Sequence, residues 1–126
     1  MEMQSTDEAE VRAVISSYFD ALYQGDVELF RRVLHPRARL YSATEGTLVD
    51  LDVDIYLGLV AGRPSPASRK DLRDDQVLTV EIASPTTAHA RVKDMYLPKK
   101  FINELSFIKI EGRWQIAAKI WHFTIG

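Results

Sequence analysis

Cysteine is absent from the chain. That excludes structural disulfides, thiol catalysis and zinc–thiolate sites, and leaves the redox compartment unmarked. Charge of one sign is also lacking. Sixteen Lys and Arg stand against 18 Asp and Glu, net −2, with the signs interspersed, so there is no electrostatic case for a nucleic-acid partner. No apolar run approaches the roughly 20 residues of a membrane span. The opening Met1-Glu2-Met3-Gln4-Ser5-Thr6-Asp7 is polar and acidic, unlike a signal peptide. A cytoplasmic protein with no membrane partner is expected. There is no glycine-rich phosphate loop, no Gly-x-Ser-x-Gly elbow and no His-x-His or His-Glu-x-x-His spacing. Neither a cofactor nor a metal is expected. The 126 residues are read as one domain over 1–126, with 1–6 a flexible N-terminus. A chain of that size buries roughly two-thirds of its unfolded surface, enough for a core without staples.

What is present is a clear change of period. Ser5-Thr6-Asp7-Glu8 reads as a helix start, with Ser5 capping and Glu8 reaching back. Val11, Val14, Ile15, Tyr18, Phe19 and Leu22 then follow i, i+3, i+4, i+7 spacing, and Gly25 suits a left-handed stop. Asp26 caps a shorter helix carrying Leu29, Phe30, Val33 and Leu34, ended by Pro36. Residues 38–51 read as a hairpin turning at Glu45-Gly46, and Asp52 caps a third helix from Val53 to about Ala61. The run 62–71, GRPSPASRKD, is a loop. Beyond it the period becomes two: strands over Val77–Ala83, Ala88–Leu97, Phe101–Ile110 and Arg113–Thr124, with a tight turn at Glu111-Gly112. Helices followed by a strand meander predict an α+β fold: three N-terminal helices packed on a strongly curved antiparallel β-sheet.

The wording is recognisable as well. YFDALYQGDVELFRRVLHPRARLY, AGRPSPAS and LSFIKIEGRWQIAAKIWHF resemble the NTF2-like superfamily, the SnoaL-like cone, and within it most closely the uncharacterised group labelled putative lumazine-binding. The resemblance covers roughly residues 7–124. It implies a cone whose sheet and helices enclose a cavity, a layout that isomerases, dehydratases and polyketide cyclases of the superfamily use. His35-Pro36 recurs at this hinge in the superfamily. Here chain reversal explains it, with the imidazole expected to bond a loop carbonyl. His89, on the opposite face from Ala88 and Ala90, reads as solvated.

Strand parity then sorts cavity candidates. Trp114, Ile116, Ala118, Ile120, His122 and Thr124 share one face of the last strand, and Ala88, Ala90, Val92, Asp94 and Tyr96 one face of another. A bulge would flip such an assignment. On this parity Asp94, Asn103 and His122 converge with Tyr41, Tyr56 and Tyr96, and Trp114 adds an aromatic wall. The expected activity is binding of a small flat apolar or heteroaromatic molecule of roughly 10–20 heavy atoms, neutral because the inward sets hold no arginine beyond Arg113 at a hairpin edge. Two alternatives stand beside it. One is a lyase- or isomerase-type enzyme using Asp94 and His122 for proton transfer. The other is a purely structural dimerisation module. The opposite parity carries Met95, Leu97, Ile102, Ile108, Ile110, Trp121 and Phe123 among charges, too much apolar surface for a wet face. It predicts a homodimer through the sheet face of Met95, Ile108 and Trp121.

Overall fold

The computed structural model describes residues 2–126, with side chains from Thr6 onward. Three helices, α1 (Glu2–Gln24), α2 (Val27–Val33) and α3 (Val53–Ala61), pack on a curved six-stranded sheet. Its strands are β1 (Leu34–Ser42), β2 (Val49–Asp52), β3 (Gln76–Ser84), β4 (Thr87–Tyr96), β5 (Lys99–Ile110) and β6 (Arg113–Ile125), in the order β2-β1-β6-β5-β4-β3. This is the α+β cone expected from the helix-then-meander order. No helix of the described residues is long and apolar enough to cross a membrane.

Three local readings are corrected. α1 is helical from Glu2, upstream of the capping box, so Ser5 stands inside the helix; its side chain lies outside the described residues. β1 begins at Leu34, directly after α2, so Leu34 and His35 belong to the strand. The imidazole Nδ1 of His35 accepts the Arg37 amide at 3.0 Å rather than bonding a carbonyl. Finally, the sheet is not antiparallel throughout: β1 runs parallel to β6. No hairpin joins these two strands, so their relative direction is free of turn geometry.

The stops and caps follow local chemistry. Asp26 accepts the Leu29 amide at 3.1 Å and Asp52 the Ile55 amide at 2.8 Å, satisfying helix-start donors. Gly25 has φ +65°, and a Cβ there would meet Ser65 Cβ at 3.0 Å. Glycine is required on both counts. Tyr18, Phe30, Ile15, Leu34, Leu40, Leu105 and Ile116 are the large fully buried residues between helices and sheet. Phe30 meets Tyr18 and Tyr56 edge-on, with centroids at 5.8 and 5.4 Å, a favoured aromatic geometry.

One feature of β6 positions the cavity. Ser106 pairs with Ala118, but the next residue, Phe107, pairs with Ile116. Ala117 is the extra residue of a β-bulge, and everything after it changes face. Trp114 and Ile116 point inward before the bulge; Lys119, Trp121 and Phe123 do so after it, leaving Ile120, His122 and Thr124 outside.

Candidate functional site

The cone encloses a cavity of about 220 Å³ at the end of the sheet beyond the bulge. Leu22 of α1, Val49 and Leu51 of β2, Leu59 of α3 and Phe101 of β5 supply apolar wall. Tyr56, Tyr96 and Trp121 supply aromatic wall, and Asp94, Arg63, Lys99 and Lys119 are the charged groups. A mostly apolar cleft with a few convergent polar groups is the usual form of a small-molecule site.

Asp94 is 3% exposed. The inward parity of β4 carries it to the wall, one step beyond Val92. Its Oδ2 accepts from Asn103 Nδ2 at 2.7 Å. Burial pushes its pKa up to about 7, and Asp75 adds to the rise. The Lys119 charge, the Asn103 bond and the Arg63 charge pull the other way and leave the balance near neutrality. A carboxyl that exchanges a proton near pH 7 suits acid–base work. Asn103 stands behind it, fully buried and outside the cavity wall, and its Oδ1 has no hydrogen-bond partner among the described residues. The Tyr18 hydroxyl is likewise buried without a partner among the described residues. Burial and the Asp94 charge hold its pKa well above the usual phenol range.

Lys119 is 6% exposed, and its ammonium is held by ring faces. Nζ lies 5.2 Å from the Tyr18 centroid, 5.1 Å from Tyr56 and 5.4 Å from Trp121. Arg63 stacks over Tyr96 at 4.0 Å, with Arg69 at 4.4 Å from the same ring. The Tyr96 hydroxyl donates to the Pro64 carbonyl at 2.7 Å. These contacts tie the 62–71 loop to the rim.

The expected set is therefore divided. Asp94, Tyr56 and Tyr96 line the cavity; His122, Tyr41 and Trp114 do not. His122 is exposed on the outer face, its Nδ1 3.4 Å from Thr44 Oγ1, because the bulge reverses its parity. The Asp94–His122 pair does not form. Tyr41 points away from the inward face of Leu40 and Ser42. Trp114 is core, donating through Nε1 to Asp7 Oδ1 at 3.0 Å. Trp121 does not join Met95 and Ile108 on the outer face, for the same reason that His122 does. The inward strand sets hold no cavity arginine, as expected, but cations reach the wall by other routes: Arg63 arrives from the loop after α3, and the bulge delivers Lys119.

The missed residues had a signal. Trp121 and Phe123 stood out of phase on a face with Arg91 and Glu104, just after the small pair Ala117-Ala118. A one-residue phase shift there restores an apolar inner face. Among the described residues no group of three or more His, Asp or Glu side chains could hold a metal ion.

No curated protein matches the chain in sequence. In fold it is similar to an NTF2-like protein of unknown function from Silicibacter pomeroyi DSS-3, with TM-score 0.85 at 19% identity over 96% of this chain and 98% of that one. A second, from Shewanella baltica OS155, gives TM-score 0.85 at 17% identity over 97% of each. A ketosteroid isomerase-like protein from Erwinia carotovora atroseptica SCRI1043 gives 0.74 at 13%, over 95% and 98%. At these identities the likeness is one of fold. The sequence family described as putative lumazine-binding matches residues 6–122, nearly the whole chain, and the protein belongs to that family.

Proposed function

We propose that the protein binds a small flat ring compound in the cone cavity. The observation that carries this is the cavity itself: about 220 Å³, with Tyr56, Tyr96 and Trp121 as flat walls and Asp94 and Lys119 as fixed polar groups. That volume lies below the roughly 300–1,000 Å³ of drug-sized sites, so the ligand is small, of about one or two rings. Aromatic walls offer large rigid contact area to such a ring. Thermal-shift screening of flat heterocycles, flavin precursors and polyketide-like phenols tests the reading. Stabilisation that disappears in Trp121→Ala is expected. If no ring compound stabilises the wild-type protein, the reading is wrong and the structural-module alternative takes its place.

A second reading, proton-transfer catalysis, is favoured by one observation: the buried Asp94 carboxyl with its pKa near 7. In this version Asp94 alone exchanges the proton, and the Lys119 ammonium steadies developing negative charge. Deuterium exchange at the carbon next to a ring ketone, catalysed by the wild type and absent from Asp94→Asn, would support it. The homodimer belongs to the same proposal, on the outer face as the bulge leaves it. Met95 and Ile108 remain there, and Ile102, Ile110 and Ile120 are 42%, 48% and 54% exposed.

A further inference from the structure

Several cations near the helices and the cavity rim are held by carboxylates, and the cations of the cavity wall are not. Arg69 pairs with Asp71 at 2.6 Å, and Arg73 with both Asp20 and Asp75 at 2.6 Å. Lys109, a further lysine of β5, pairs with Asp7 at 2.9 Å. Arg63, Lys99 and Lys119 line the cavity, and among the described residues none of them has a carboxylate within 4.0 Å. Each rests on aromatic rings instead: Arg63 on Tyr96, Lys99 on Phe123 at 4.4 Å, and Lys119 on Tyr18, Tyr56 and Trp121.

A ring face favours a cation by about 0.5–2 kcal/mol. It does not neutralise the charge or fill the donor positions of an ammonium or guanidinium. The wall thus carries three cations against the single carboxylate of Asp94. A buried cation that no carboxylate contacts, with only the partly protonated Asp94 on the same wall, is costly, and an anion entering the cavity would relieve that cost at Lys119. Tyr56 and Trp121 each serve twice, as wall of the cavity and as support for the Lys119 ammonium. A planar ring lying on them brings its edge substituent to the charge.

We infer that the cavity takes a flat aromatic anion, a ring carrying a carboxylate or an equivalently ionised oxygen, with Lys119 and Arg63 meeting its charge and Tyr56 and Trp121 its ring. This rests on the ligand-binding reading and narrows it, replacing the neutral ligand expected from strand parity.

Benzoate and its neutral counterpart benzamide are the probes, titrated calorimetrically into the full chain at pH 6.5. Benzoate is expected to bind about tenfold tighter or more, the scale of one charge-assisted contact. Arg63→Gln, at the half-buried rim, and Lys119→Met, a near-isosteric change, should each remove about tenfold of benzoate affinity in variants whose circular dichroism matches the wild type. Benzamide affinity should stay within about threefold in both variants. Equal affinity for the two rings would overturn the charge inference while leaving the ligand-binding reading intact. Benzoate binding that survives both substitutions would also overturn it, by placing the anion elsewhere. Binding of neither ring would remove the inference and the reading beneath it together.

Discussion

At the scale of single residues, two buried aspartates show how environment sets opposite roles. Asp7 accepts from Lys109 Nζ at 2.9 Å and from Trp114 Nε1 at 3.0 Å, and these bonds hold its pKa below the usual carboxylate range. Its charged form is the stabilised one, so its contribution is present at neutral pH and is lost as acid protonates it. Asp94 is the reverse. Its pKa rises from 3.8 to about 7, chiefly because ionisation there gives up water. The unfolded chain releases this proton near pH 4 and the folded one near 7, so stability falls as pH rises between those values and levels off above. At about 1.36 kcal/mol per pKa unit, the full loss is on the order of 4 kcal/mol. Asp94→Asn should remove that dependence. Urea melts at pH 5 and pH 8 should show the variant's advantage growing by roughly 2–3 kcal/mol across the interval; a constant gap would mean that Asp94 is ionised normally in the folded protein. Tyr56, Tyr96 and Asp94 were legible as cavity residues, because each follows from parity or helix phase within an unbroken element. His122 and Lys119 were not, because their faces are decided by an irregularity upstream of them.

That irregularity is an event at the scale of one strand. Ala117 occupies a position in β6 with no partner in β5, and the eight residues after it present faces opposite to those that unbroken alternation assigns. A small residue fits there because a bulge brings two side chains against one on the neighbouring strand. Deleting Ala117 should restore straight pairing. Lys119, Trp121 and Phe123 would then turn outward, and Ile120 and His122 inward. The expected result is a red-shifted tryptophan emission as Trp121 meets water, together with loss of ligand-induced stabilisation. An unchanged spectrum would mean that the strand absorbs the deletion at its end. Helices were easier to read. Asp26 and Asp52 cap α2 and α3 where their side chains require it, since capping and phase are decided within a few residues. The start of α1 was missed, because a capping box marks a permissible beginning and the backbone is helical for a turn before it; the end of α2 was also missed, because Leu34 already belongs to β1.

At the scale of the whole molecule, the bulge moves two aromatics from the outer sheet face into the cone. The remaining patch is aliphatic: Ile102, Ile108, Ile110 and Ile120, bordered by the His89–Glu104 and Arg91–Glu104 pairs at 2.8 and 2.7 Å. If this face joins two copies, Ile120→Asp places two charges at the interface and should yield monomers of 14.3 kDa by light scattering at micromolar concentration. A wild-type protein already monomeric at that concentration would count against the interface. The order of elements, the α+β class and the bounds of β3 to β6 to within about two residues were determined by the sequence alone, because periodicity, caps and turn residues act over short stretches of chain. The parallel pairing of β1 with β6, the site of the bulge and the gathering of Arg63, Asp94 and Lys119 around one cavity were decided by tertiary structure. Each joins segments far apart in the chain, and a single unpaired residue in β6 is enough to exchange which side chains face the core and which face water.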